Sequence, residues 1–358
     1  MIRKISNIPL SYPWGSTHLI PDLIGSKETD APISELWFGT HPASPSLVDT
    51  GEPLRDLAGE LGFLVKFLSA ASPLSIQSHP NLEQARAGFE KEQSGEIPID
   101  DYSRNFKDAN HKPELLIAIS PFRVLSGFRP ISEINQELKE IASKDSNFES
   151  WAAGEKTLSQ HFDFVFNELD PGLLDSLAAQ SELVEFLSEF YPKDPGLGIA
   201  FLLNEIFLAP GEAVFLPAGN LHAYLQGLGV EVMASSDNVI RGGLTSKNVD
   251  IELLREITVF DSLNPKLGPK SLQQGLDEYE VSVDDFRVYR IEPSGSQLIA
   301  DINLPEPGIL VCVSGELVVS NSLDEKLHLK KGEACYISND ARLISFSGAG
   351  TGYLATGN

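Results

Sequence analysis

Residues 205–227, EIFLAPGEAVFLPAGNLHAYLQG, alternate short apolar runs with Pro-Gly and Ala-Gly pairs. Short strands joined by tight turns fit between such closely spaced breakers; a long helix does not. The same texture flanks this stretch. Residues 33–80 set apolar runs against turn residues (ELWFGTHPASPSLV, GFLVKFL), and from about 275 the chain reads VSVDDFRVYRIE, GILVCVSGELVVS, GEACYIS and ARLISFSG. Many short strands with Gly-rich turns predict a sandwich or jelly roll. Regular strand–helix alternation is absent, which disfavours a parallel α/β fold.

The β texture is interrupted. Ile131, Ile134, Leu138 and Ile141 recur at spacings of three and four, one face of a helix. LLDSLAAQSELVEFLSEFY (173–191) also reads as helical, and YPKDPG (191–196) stops it. A further helix is expected around 196–204 and a short one over IELLREI, 251–257. The predicted fold class is mainly β with a helical insertion (α+β): a β domain interrupted by helices, then a smaller β domain.

At 358 residues the chain is long enough for two or three cores. Fifty-one acidic against 27 basic residues give a formal net charge of −24, which argues against nucleic acid or an anionic membrane as partner. An anionic substrate would then need a locally positive site. The two cysteines, Cys312 and Cys335, make neither a disulfide framework nor a sulfur metal site, and are expected to pack in the core. No signal-peptide core or spanning segment is evident, so the expected location is cytoplasmic.

Three clusters carry chemistry. In SIQSHPN (75–81), Gln77 and His79 are two apart and share one face of a strand, which Pro80 ends. In NHKPELLIAI (110–119), His111, Lys112 and Glu114 crowd the mouth of an apolar strand, a costly arrangement unless something uses it. Residues 216–250 offer His222, Glu231, Asp237, Arg241 and Lys247 among turns and small side chains. Gln77, His79, Glu114 and His222 would make a sulfur-free donor set suited to a borderline dication such as zinc, with a site charge of about +1. The spacing alone also allows a plain structural reading, in which His111 and His222 cap turns and Lys112 and Arg241 are solvated charges.

The strings PLSIQSHPN, NHKPELLIAI, GFRP, PGEAVFLPAGNLHAYLQG and EVMASSDNVIRGGLTSKNVD closely resemble those of type I mannose-6-phosphate isomerases, as do YPWGS, ELWFGTHP and YPKDPG. The resemblance is dense from residue 12 to about 250 and thinner beyond. It implies a metal-bearing cupin domain (1–125 and 200–258), a helical insertion (126–199) and a C-terminal cupin-like β domain (259–358). It implies one Zn²⁺ per chain, held by Gln77, His79, Glu114 and His222. Ser78 and Gly242 stand where alanine is common in the family, and neither change removes a functional group.

The reaction implied is interconversion of mannose 6-phosphate and fructose 6-phosphate through a cis-enediol. Lys112 and Glu231 are the two candidates for the proton-transfer base, and the resemblance implicates both. Arg241 matches the family's catalytic arginine, positioned to steady the enediolate or orient substrate. Ser75 and Lys247 are expected to take the phosphate, and His111 to assist ring opening or to act as a cap. Asp237 reads as a turn residue. The expected partner is a small-molecule sugar phosphate, with no nucleic acid and no membrane; a monomer is expected, and an oligomer stays open. The rival readings are an isomerase of another phosphosugar, or a non-catalytic cupin that binds one.

Overall fold

The computed structural model describes residues 1–27, 30–295, 298–341 and 343–357, folded around two ten-stranded antiparallel sheets with helices packed on one of them. The first sheet holds Glu35–Phe38, Phe63–Ala70, Ile76–Ser78, Glu114–Ala118, Phe122–Phe128, Leu203–Leu208, Ala213–Leu216, His222–Ala234, Ile240–Gly243 and Lys266–Leu267. The second is built from residues 270–356 together with Ile2–Ser6 and Leu47–Val48. Ile2–Ser6 pairs with Ala334–Ile337, so the N-terminal strand lies in the C-terminal sheet.

The run FLVKFLSA (63–70) is buried along its whole length because both of its faces are covered. One face of the first sheet, with Val65, Phe67, Leu115, Ile117, Val230 and Val232, packs against Val288, Ile309, Val311, Tyr336 and Tyr353 of the second sheet. Each such side chain, fully buried, contributes roughly 1.5–3 kcal/mol. The other face, with Leu68, Ala70, Leu116, Ala118, Val124 and Tyr224, closes on itself as an interior core. Lys66 and Glu231 also point into this interior, because they pair directly with each other and with Trp37 and Leu116.

The helices cover the end of the first sheet that carries Ile76, Leu125, Ala223 and Ile240. Ile131–Lys144 buries Ile134, Leu138 and Ile141 as its spacing predicts. The stretch 173–191 is not one helix. It breaks into Pro171–Ala178 and Glu182–Ser188, because the Ser181 side chain accepts from the Val184 N–H and starts a new helix. Gly196–Leu202 and Ile251–Ile257 form as expected, the second capped by Asp250. Leu82–Ser94 is a helix the periodicity did not reveal: of its residues only Ala85 is buried, and its start is fixed by an Asn81–Gln84 capping box. The strand expected to run up to Pro80 stops at Ser78, and Asn81 opens the helix.

Cys312 and Cys335 are both buried and free, and burial pushes both thiols up, Cys312 to about 11. Among the described residues, no helix is long and apolar enough to cross a membrane.

Candidate metal centre

Four strands meet in one register row. Arg241 pairs with Gln77, Gln77 with His222, and His222 with Ser126. Directly opposed residues share a sheet face, so these side chains stand side by side. His79, two residues after Gln77, continues on the same face. Glu114 opens its own strand opposite Met233 and Leu216 and faces the same interior.

The long strand His222–Ala234 serves both halves of the site through one irregularity. A simple alternation would put His222 and Glu231, nine residues apart, on opposite faces. The register shifts between Tyr224 and Gln226, and Gly227 follows at φ 138. A side chain at Gly227 would also meet the Phe122 ring at 2.6 Å. The shift turns Glu231 back to the side that His222 and Tyr224 face.

Three ligating groups converge. His79 Nε2 lies 3.5 Å from Glu114 Oε1, and His222 Nε2 lies 3.4 Å from Glu114 Oε2. Their donor atoms all fall within 4.8 Å of one another, and all three residues are buried. Each imidazole is oriented from behind. His79 Nδ1–H donates to the Asn238 carbonyl at 2.6 Å, and His222 Nδ1–H donates to the Asn220 carbonyl at 3.0 Å. Both rings therefore aim an unprotonated Nε2 inward. The Gln77 amide reaches His222 Nε2 at 3.2 Å. Turning that amide about its last bond presents its oxygen instead.

The electrostatics match a cation site. Burial holds the His79 imidazole down to about 4, against the pull of Glu114. Burial alone would raise Glu114, but Lys112, His79 and His222 hold it well below the usual carboxylate range. His79 Nε2 is a buried lone pair with no hydrogen-bond partner. A dication at that point satisfies it, and one carboxylate, two imidazoles and an amide oxygen are a donor set zinc accepts.

Around this cluster Lys112 Nζ stands 2.9 Å from Glu114 Oε1. Glu231 lies one cross-strand row deeper, with both oxygens engaged: Tyr224 donates to Oε1 at 2.9 Å and Lys66 Nζ meets Oε2 at 3.0 Å. Burial raises Glu231, with Lys66 opposing. Arg241 is half-buried and Lys247 exposed, and neither cation has a side-chain hydrogen-bond or ion-pair partner among the described residues. Burial lowers both below their ordinary values, and Arg241 adds to the effect on Lys247. Ser75 is half-buried two residues before Gln77. His111 does not join the triad; its Nε2 donates to Asp285 at 2.8 Å. Asp237 lies 3.3 Å from His41 Nε2, in the wall of a cavity of about 750 Å³ that the candidate ligands do not line.

Sequence reasoning missed Lys66, Glu35, Tyr224 and Asn238. Lys66 is nearly inaccessible, and burial opposes its charge, yet Glu231 and Glu35 raise it overall. A lone lysine inside the apolar run FLVKFLSA was the available signal.

The model of the type I phosphomannose isomerase catalytic domain matches residues 2–131. Mannose-6-phosphate isomerases from Salmonella typhimurium and Escherichia coli are each 36% identical, covering 98% of this chain and 98% of theirs. The Homo sapiens protein of that name is 30% identical over 91% of this chain and 90% of its own. The solved Salmonella typhimurium mannose 6-phosphate isomerase bound to fructose 6-phosphate and zinc superimposes with a TM-score of 0.91 at 35% identity, covering 100% of this chain and 99% of that one. This chain belongs to the type I phosphomannose isomerase family.

Proposed function

We propose that this protein is a zinc-dependent aldose–ketose isomerase interconverting mannose 6-phosphate and fructose 6-phosphate. The observation that carries the reading is the pair of inward-aimed imidazoles, His79 and His222, closing on the buried carboxylate of Glu114. With Gln77 they would hold the zinc. Bound there, zinc supplies Lewis-acid polarisation of the substrate's carbonyl and hydroxyl oxygens.

The chain's own residues do the rest. In the aldose-to-ketose direction a proton leaves C2 and is delivered to C1, while the hydroxyl proton on O2 passes to O1, with a cis-enediol between. Lys112 is assigned the transfer of the carbon-bound proton, because its Nζ borders the ligand cluster. Glu231 is assigned to the interior behind the ligands, since Tyr224 and Lys66 already occupy both of its oxygens. Arg241, in the same row as Gln77 and His222, steadies developing enediolate charge. Lys247, with Arg241 beside it and Ser75 nearby, receives the phosphate. Two cations without counter-charges answer how so acidic a chain takes an anion. His111, fixed by Asp285 from the connection between Leu276–Tyr279 and Arg287–Ile291, contributes to the substrate end of the site as an orienting group.

In this reading residues 1–125 and 200–258 form the metal-bearing cupin domain, 126–199 the helical insertion and 259–358 the C-terminal cupin-like domain, except that Ile2–Ser6 and Leu47–Val48 complete the C-terminal sheet and Lys266–Leu267 the first one. The enzyme acts as a cytoplasmic monomer carrying one zinc, with no nucleic-acid or membrane partner. Turnover of mannose 6-phosphate before and after zinc removal tests the reading.

A further inference from the structure

Asn238 is fully buried, in the turn between the strands His222–Ala234 and Ile240–Gly243. Its amide is saturated on one short segment. Asn238 Oδ1 accepts from the Lys107 N–H at 2.7 Å and from the Asp108 N–H at 3.3 Å. Its Nδ2 donates to the Asp108 carbonyl at 2.9 Å and the Asn110 carbonyl at 2.8 Å. An amide has two lone pairs and two N–H groups, and all four are used here. Ser236 reinforces the same seam, donating to Asp108 Oδ1 at 2.9 Å, and the Asp237 N–H donates to Asp108 Oδ2 at 2.8 Å.

The two sides of this seam carry different parts of the metal centre. Residues 107–110 lead directly into Lys112 and Glu114. On the other side, the main-chain carbonyl of Asn238 itself accepts the Nδ1–H of His79 at 2.6 Å. One residue therefore fixes the tautomer and ring orientation of one ligand. It also fixes the entry path of the segment that supplies another. Its side-chain hydrogen bonds all go to residues 107–110.

We infer that Asn238 is a positioning residue of the metal centre, holding His79 and Glu114 in register by clamping residues 107–110 with its amide while orienting His79 with its carbonyl. This rests on reading the centre as a zinc site. Asn238→Asp keeps the shape but sets a carboxylate oxygen against the carbonyls of Asp108 and Asn110. The clamp then opens, and the carbonyl facing His79 moves with it. Changes behind a ligand typically cost about 10–100-fold in metal affinity.

The experiment is zinc titration of chelated wild type, Asn238→Asp and Ser236→Ala in competition with a chromophoric chelator. Nitrogen NMR of the histidine rings and thermal unfolding of the zinc-free proteins accompany it. The expected result is a roughly 10–100-fold weaker zinc affinity for Asn238→Asp, a smaller loss for Ser236→Ala, and a disturbed His79 tautomer signal. Wild-type affinity and an unchanged His79 signal in both variants, with only a lower unfolding temperature, overturn the inference and leave Asn238 a fold residue. If Asn238→Asp fails to fold, Ser236→Ala decides by the same readouts. Failure of the wild type itself to bind zinc overturns the reading of the centre instead.

Discussion

Lys66 Nζ stands 3.0 Å from Glu231 Oε2 inside the first sheet's interior, with Glu35 Oε1 at 3.4 Å on its other side. One ammonium thus offsets two buried carboxylates, and the Trp37 ring lies 4.8 Å from it. Removing one partner of a buried ion pair strands the other, at about 3–5 kcal/mol. Lys66→Met is therefore expected to lose about that much in denaturant unfolding of the zinc-free protein. A loss below about 1 kcal/mol, the scale of an exposed pair, contradicts the interior arrangement.

Glu114 is the single anionic member of the ligand cluster, and Lys112, His79 and His222 all lean on its charge. Glu114→Gln keeps the shape and removes the charge. Its zinc affinity is expected to fall by more than the roughly 100-fold upper range of outer-shell changes. Full zinc occupancy at stoichiometric metal, read by elemental analysis, counts against Glu114 as a ligand.

In the proposed mechanism Arg241 and Lys247 divide the work on substrate. Charge-assisted hydrogen bonds contribute about 1.5–3 kcal/mol, or roughly 10–150-fold. Arg241→Ala is expected to retain zinc and lose that factor chiefly in kcat, because enediolate charge exists only in the transition state. Lys247→Ala is expected to lose it chiefly in KM, because the phosphate is bound throughout. A near-normal rate for Arg241→Ala removes it from the mechanism.

Acid should destabilise the zinc-free protein in a defined window. His79 and His161 are held down from 6.5 to about 4, both chiefly by burial. The unfolded chain binds these protons first, so the stability they protect is present above pH 6.5 and is lost as pH falls towards 4. His161 accepts from Trp151 Nε1 at 3.0 Å through Nδ1 and bonds Asn135 Oδ1 at 3.0 Å through Nε2, a fully used neutral ring. His161→Gln is expected to flatten the slope of unfolding free energy between pH 6.5 and 4. An unchanged slope contradicts a neutral His161.

What could be read in the sequence followed from local period and local punctuation. The helix at 131–144 announced itself because Ile134, Leu138 and Ile141 all face a core. Gln77 and His79 were legible as a same-face pair because nothing interrupts the alternation between them. The capping box at Asn81 was the sole mark of a solvent-facing helix. Pairing Glu231 with the His222 face depended on a register shift near Gly227, which no alternation count contains. Asn238 and Asn220 were invisible as histidine anchors because they act through main-chain carbonyls. The ligand set itself came from long motifs shared with a family, since its members lie in three distant segments.

The most direct measurement is a coupled assay of mannose 6-phosphate conversion to fructose 6-phosphate on the intact protein, after chelation and after zinc return. Activity that disappears with the metal and returns with it is the predicted result. A folded, zinc-loaded protein that does not turn over mannose 6-phosphate, or one equally active when stripped of metal, contradicts the account.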